Sequence, residues 1–407
     1  MTNAPIARPV TGNERLVMLD SLRGLALCGV FLANISYWSH PLAVGLPEFP
    51  ARTTDELAAA WEFVFKAFVE GKFYSIFSRL FGLGFSLQLH RLEQRGADGS
   101  AIFRRRLFIL LLIGLTHMQF VWEGDILTLY ALLGLTLPMF ARLSDRNLLL
   151  LAMGLIALPV LMAFVQHRLG LEDDLGVENL GGAIFASVTA TPEPAGDADV
   201  LRLWSSGSWE GFVAWQLSGP PYRLGVFISE WRPFKVMAMM LIGLVAGRHI
   251  IRGTLLNNAS LLKRIAIWGF AVGLPASILF GQTGGLRFES PAARLESFTI
   301  YAISVAPLAL GYAALFALAW QRLSRSLGVF ASLGRMALTN YLVQSVVSTI
   351  LFWGVFFGLS GKLGPWETWA LAILLLFIQI LFSNWWLRHH EQGPLEKLWR
   401  MATYRSR

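Results

Sequence analysis

Residues 114 to 130 read GLTHMQFVWEGDILTLY, which sets His117, Glu123 and Asp125 between two apolar runs. A neutral imidazole can take a proton from an alcohol or amine and return it later, so His117 is a candidate general base. The other reading is a buried histidine satisfied by neighbouring helices. Asp125 lies eight residues on, about 12 Å away along a continuous helix, and can orient His117 only if the turn at Gly124 and Asp125 folds back. Otherwise Asp125 binds an acceptor or ends the helix.

Four further groups carry polar chemistry inside apolar sequence. In LDSLRG, Asp20 and Arg23 are three apart and share a helix face, either as an ion pair or with Arg23 presenting its guanidinium to a phosphate or acyl-thioester group. Asn34 follows about three turns later, and its plainest role is an interhelical hydrogen bond. Glu70 and Lys72 flank Gly71 in VEGKFYSIFSRLFGLG and predict either a broken helix lining a cavity or an interfacial turn between two shorter helices. Asn340 and Gln344 share a face in GRMALTNYLVQS, with Tyr341 and Ser348 beside them, a polar seam that glues helices or lines a passage.

These residues are held by a chain of 407 residues, 55% hydrophobic and only 15% charged, with a mean hydropathy of +0.54. Soluble proteins average about 25% charged, so the expected class is an all-α polytopic integral membrane protein. Apolar segments near 21–38, 60–89, 107–122, 126–142, 148–166, 234–250, 265–282, 297–320, 337–358 and 366–387 predict about ten transmembrane helices. Lys and Arg concentrate in 91–106, 141–147, 247–264, around Arg322, Arg325 and Arg335, and in the tail from Arg388. That alternation puts these segments and both termini on the cytoplasmic side. The chain reads as one membrane domain over 1–407, with 167–232 an extracytoplasmic loop whose tryptophans either anchor it at the membrane interface or form a lid over the outer mouth.

The net charge of +8 is explained by orientation in the bilayer, so no nucleic-acid partner is expected. Cys28 is the single cysteine, which leaves neither a disulfide framework nor a cysteine-based metal site, and no metal is expected. The N-terminal twenty residues lack an apolar core and a small-residue cleavage site, so the first span is expected to act as the insertion signal. No phosphate-binding P-loop, HExxH zinc pair or GxSxG elbow is present, which removes support for ATP-driven transport, zinc proteolysis and serine-hydrolase chemistry. Gly82 and Gly84 in FGLGFS lie in an apolar run without a preceding strand, which predicts close helix packing and not a dinucleotide loop.

The stretches RLVMLDSLRGLALCGVFLANIS, KFYSIFSRLFGLG, GLTHMQFVWEGDILTLYALLG, GRMALTNYLVQS and GPLEKLWR together resemble the YeiB-like family of bacterial inner-membrane proteins, named for a domain of unknown function. More distantly, LDxLRG followed by an in-membrane asparagine is similar to transmembrane acyltransferases, including sugar O-acetyltransferases and the lysosomal heparan glucosaminide N-acetyltransferase. That resemblance implies an acyltransferase-like bundle taking an acyl group, expected to be acetyl, from cytoplasmic acyl-CoA to a glycan, lipid or small-molecule acceptor at or across the membrane. By it Asn34 matches the active-site asparagine, while His40 stands at a shorter spacing than the partner histidine and is not equated with it. Arg23 with Arg91, Arg95, Arg104, Arg105 and Arg106 would attract the CoA phosphates, unless that cluster serves topology alone. Asn34 would stabilise the oxyanion, His117 would be the base, and Glu70, Lys72, Asp125, Asn340 and Gln344 would shape the acceptor side. The alternative is a transporter or flippase of a small or lipid-linked solute.

Overall fold

The computed structural model describes residues 17–40, 49, 53–94, 99–170, 177–194 and 196–404, and within them the chain is all-α. Helix α1 spans Val17–Ser39, α2 Asp55–Val64, α3 Lys72–Gln94, α4 Gly99–Phe120, α5 Leu127–Phe140 and α6 Asp145–Leu169. They are followed by α7 (Val177–Thr189), α8 (Asp197–Ser205), α9 (Trp209–Ser229), α10 (Arg232–Ile251), α11 (Ala259–Gln282) and α12 (Pro291–Leu327). The last four are α13 (Ala331–Arg335), α14 (Ala337–Phe352), α15 (Pro365–His389) and α16 (Pro394–Thr403).

Each of the ten expected segments overlaps a helix, although 60–89 is broken and 337–358 runs past the end of α14 at Phe352. Among the described residues six stretches are long and apolar enough to cross a bilayer: α1, α6, α10, α11, Pro291–Arg335 and α15. The apolar helices α5 and α14 have 14 and 16 residues, or about 21 and 24 Å at the helical rise, against about 30 Å of hydrocarbon. The protein is therefore a polytopic α-helical membrane protein.

The segment 60–89 is not one helix. After α2, Phe65–Val69 widens into a π-turn and the chain breaks at Gly71, whose φ of +81° suits glycine. Lys72 Nζ donates to Lys66 O at 2.6 Å and Ser75 Oγ to Gly71 O at 2.5 Å, satisfying carbonyls that the break frees.

Most of the expected loop 167–232 is helical, as α7, α8 and α9. Its tryptophans divide: Trp209 is exposed, whereas Trp204, Trp215 and Trp231 are buried. Trp204 stacks on Trp353 with ring centroids 4.8 Å apart. Burial of these rings inside the bundle, in place of an interfacial belt, is what folds the segment onto the helices.

Close backbone contacts fix the helices around the interior. A Cβ on Gly82 would collide with Met240 O, and one on Gly243 with Arg79 O, so α3 and α10 pack backbone to backbone. Arg79 meets Gly243 and Leu83 meets Gly247, so these two helices run in the same direction. Arg248 and Arg252, which pair with Asp145 at 2.6 and 2.9 Å, therefore lie at the same end of the bundle as Arg91. The basic segments gather on one side.

Candidate functional site

Between α1, α3, α4 and α5 lies a cavity of about 400 Å³. Along α3 its lining runs from Arg91 to Tyr74, about 25 Å at the helical rise. Leu27, Val30, Phe77, Phe81, Leu107 and Leu127 give it apolar walls. Gly84 also lines it, and a Cβ there would meet nothing.

The basic end of the cavity is lined by Arg23, Arg91, Arg106, Arg335 and Arg400. Each of four is held by a named contact. Arg23 Nη1 donates to Asp20 Oδ1 at 2.7 Å, and α1 brings it beside α13 because Gly24 and Gly334 let the two backbones touch. Arg106 Nη1 donates to Gln88 Oε1 at 3.1 Å, and its guanidinium stands 4.2 Å over the Trp399 ring. Arg335 Nη2 donates to Glu391 O at 2.9 Å, and Arg400 Nη1 to Gln392 Oε1 at 2.6 Å. Burial lowers the Arg400 pKa, against the opposing influence of Tyr404 and Glu391. Glu396, the second carboxylate on the lining beside Asp20, accepts from Leu338 N and Thr339 N at 2.8 and 3.1 Å. It thereby caps α14, so its charge faces the positive helix end and leaves the arginines in excess.

Eleven residues after Arg23 on α1, roughly 16 Å further in, Asn34 lines the same cavity. Its amide makes no side-chain hydrogen bond with the described residues, so the interhelical clasp that its position suggested is not formed. Beyond it the lining consists of Tyr74, Gly124, Tyr130, Arg223, Arg232 and Tyr341. Arg223 donates through Nε and Nη2 to the carbonyls of Asp125 and Gly124, all at 3.2 Å. Arg232 donates through Nε and Nη2 to Glu230.

The turn after α4 does fold back. Val121 N and Trp122 N both donate to His117 O, at 3.0 and 2.9 Å, and the chain doubles round so that Asp125 Oδ1 meets His117 Nδ1 at 2.9 Å. Asp125 Oδ2 accepts from Thr128 N at 2.6 Å and so starts α5. That contact assigns the imidazole N–H to Nδ1, donating to the carboxylate, and leaves Nε2 as the acceptor nitrogen of the ring. His117 Nε2 has no hydrogen-bond partner among the described residues. His117 is only 2% exposed and is not on the cavity wall. The Tyr341 ring, 5.3 Å from the imidazole by centroid, lines the cavity beside it.

The remaining expected residues stand elsewhere. Arg104 and Arg105 are exposed and, unlike Arg106, do not line the cavity; Arg95 lies outside the described residues. Lys72 and Glu70 belong to the helix break, Lys72 buried against Phe280 and Glu70 3.7 Å from Lys66. Asn340 donates to Ser383 Oγ at 3.0 Å and Gln344 to Gln379 Oε1 at 2.8 Å, a seam between α14 and α15. None of these four lines the cavity. His40 packs edge-on against Trp204 at 4.9 Å. Sequence reasoning missed Arg223 and Arg232, whose one signal was a cation set among aromatics in PPYRLG and EWRPFK.

Fold and cavity define a polytopic α-helical membrane protein with an arginine-lined internal cavity. The profile of a family described as "Protein of unknown function (DUF418)" matches residues 246–406. Uncharacterized protein YeiB of Escherichia coli is 31% identical, over 97% of this chain and 97% of its own length. Uncharacterized protein YxaH of Bacillus subtilis is 29% identical, over 98% of this chain and 96% of its own. The chain belongs to this YeiB-like DUF418 family of proteins of unknown function.

Proposed function

We propose that this protein is an acyl-CoA-dependent acyltransferase of the bacterial cytoplasmic membrane, with the basic end of the cavity and both termini on the cytoplasmic side. The observation that supports this reading is that one cavity joins Arg23 and Arg106 to an unengaged Asn34 through apolar walls. An amphipathic donor with phosphates at one end and an acyl thioester at the other fits that order. His117 Nε2 takes the proton from the acceptor's hydroxyl or amine as its oxygen or nitrogen attacks the thioester carbon. The Asn34 amide donates to the oxyanion that forms. The C–S bond then breaks, and the leaving thiolate takes the proton from the imidazolium, giving acylated acceptor and free CoA. For this His117, which is buried off the cavity wall next to the Tyr341 ring, has to gain access to the cavity.

Purified protein in lipid nanodiscs, given labelled acetyl-CoA and membrane lipids or glycans, should form a covalently labelled product that His117→Ala abolishes. Transfer that survives His117→Ala would remove the assigned base. A second reading, passage of an anionic solute, is favoured by the arginines at both ends of the cavity. Uptake into vesicles without covalent product would select it.

A further inference from the structure

We infer that the end of the cavity built by Arg223 and Arg232 is a second anion site, one that takes a phosphate or carboxylate carried by the acceptor. The assignment of that ligand to the acceptor rests on the acyl-transfer reading; the site itself does not.

Each of the two guanidinium groups is fixed in orientation by the protein through Nε and Nη2, Arg223 on the carbonyls of Gly124 and Asp125 and Arg232 on Glu230. That leaves one Nη1 on each without a hydrogen bond to the described residues, and both residues line the cavity. The carboxylates nearest them stand off the cavity wall. Asp125 is held by His117 and Thr128 N, while Glu230 borders a separate void of about 20 Å³, roughly one water in size, with Tyr74, Lys235 and Tyr301. Neither acid lines the large cavity. The Tyr130 hydroxyl, also at this end, is bonded to Tyr74 O at 3.1 Å. What the end presents to the cavity is a pair of pre-oriented donors with no carboxylate on the wall, Glu230 being paired with Arg232 from behind it, the recognition chemistry of an oxyanion.

Position separates this site from the basic end. Tyr74 and Arg91, which mark the two ends on α3, are about 25 Å apart along the helix, so a single phosphate group cannot serve both. A donor anchored at the basic end leaves the far pair for a different anion, which either a lipid headgroup or a soluble phosphate ester can supply.

The test is binding, read by native mass spectrometry of the detergent-solubilised full chain. Phosphatidic acid should be retained and diacylglycerol released. Glucose 1-phosphate in place of the lipid separates a soluble phosphate from a headgroup. Arg223→Gln and Arg232→Gln should each weaken retention by about tenfold, the loss of one charge-assisted hydrogen bond, while Arg23→Gln and Arg400→Gln leave it in place. Arg223→Gln also frees the 121–126 turn, so the wild-type chain supplies a second measurement: with CoA present, phosphatidic acid and CoA should be found bound together. Retention lost in the Arg23 and Arg400 variants but kept in the other two would overturn the site, as would displacement of phosphatidic acid by CoA. Arginine-dependent binding without acyl transfer would leave the site standing and sink only the enzymatic reading.

Discussion

Asp125 Oδ1 stands 2.9 Å from His117 Nδ1, while its other oxygen holds the first turn of α5. One carboxylate thus fixes both the imidazole and a helix start. Asp125→Ala should therefore cost stability as well as chemistry, about 2–4 kcal/mol for a buried charged hydrogen bond plus a cap. Thermal unfolding in detergent checks the first effect. Asp125→Asn retains the cap and should unfold near the wild-type temperature, yet lose acyl transfer by removing the tautomer control on His117.

Asn34 and Asn340 should behave oppositely. Asn340 is buried and bonded across α14 and α15, so Asn340→Ala should destabilise by about 1–2 kcal/mol. Asn34→Ala should change stability by less than about 0.5 kcal/mol, since no protein contact of its amide is lost. The same variant should slow acyl transfer by roughly 100-fold or more if its amide meets the oxyanion. Equal unfolding temperatures for the two variants would contradict this division.

Two glycines two residues apart give a sharper contrast. Gly84→Leu places a side chain into the cavity without displacing any atom near its Cβ, and leucine is a better helix former by about 0.8 kcal/mol. The expected result is a folded protein that no longer binds CoA, measured by equilibrium dialysis. Gly82→Leu drives into the Met240 carbonyl and should fail to yield folded protein by gel filtration.

Glu396 is the acid of GPLEKLWR, and its oxygens hold Leu338 N and Thr339 N. Glu396→Ala should weaken the start of α14 by about 1–2 kcal/mol. Hydrogen exchange should rise in 337–341 and in α16, which packs against it, while the far helices stay protected.

The membrane class was legible from apolar runs, because a bilayer demands them of any chain that crosses it, but of about ten expected spans six are long and apolar enough to cross among the described residues. The cavity was half legible. Arg23 and Asn34 could be picked out as polar groups on an apolar helix and Arg106 as part of a basic segment between spans, and all three line it. Asn340 and Gln344 carried the same signal but serve as glue, since helix period gives a shared face and not what that face meets. The pairing of His117 with Asp125 depended on where α4 stops, which no residue spacing states. Arg223 and Arg232 were lost because Gly, Pro and Ser in 167–232 read as loop, whereas buried tryptophans there turn the segment into helices.

The ring of Tyr341 has a bearing on fidelity. On the proposed acyl transfer, a base buried off the cavity wall beside this ring would be kept from the solvent of an idle cavity, and a waiting thioester would be spared futile hydrolysis. Turnover would then be timed by the step that opens His117 to the cavity, and trimming Tyr341 to alanine should raise the wasteful cleavage of donor in the absence of any recipient.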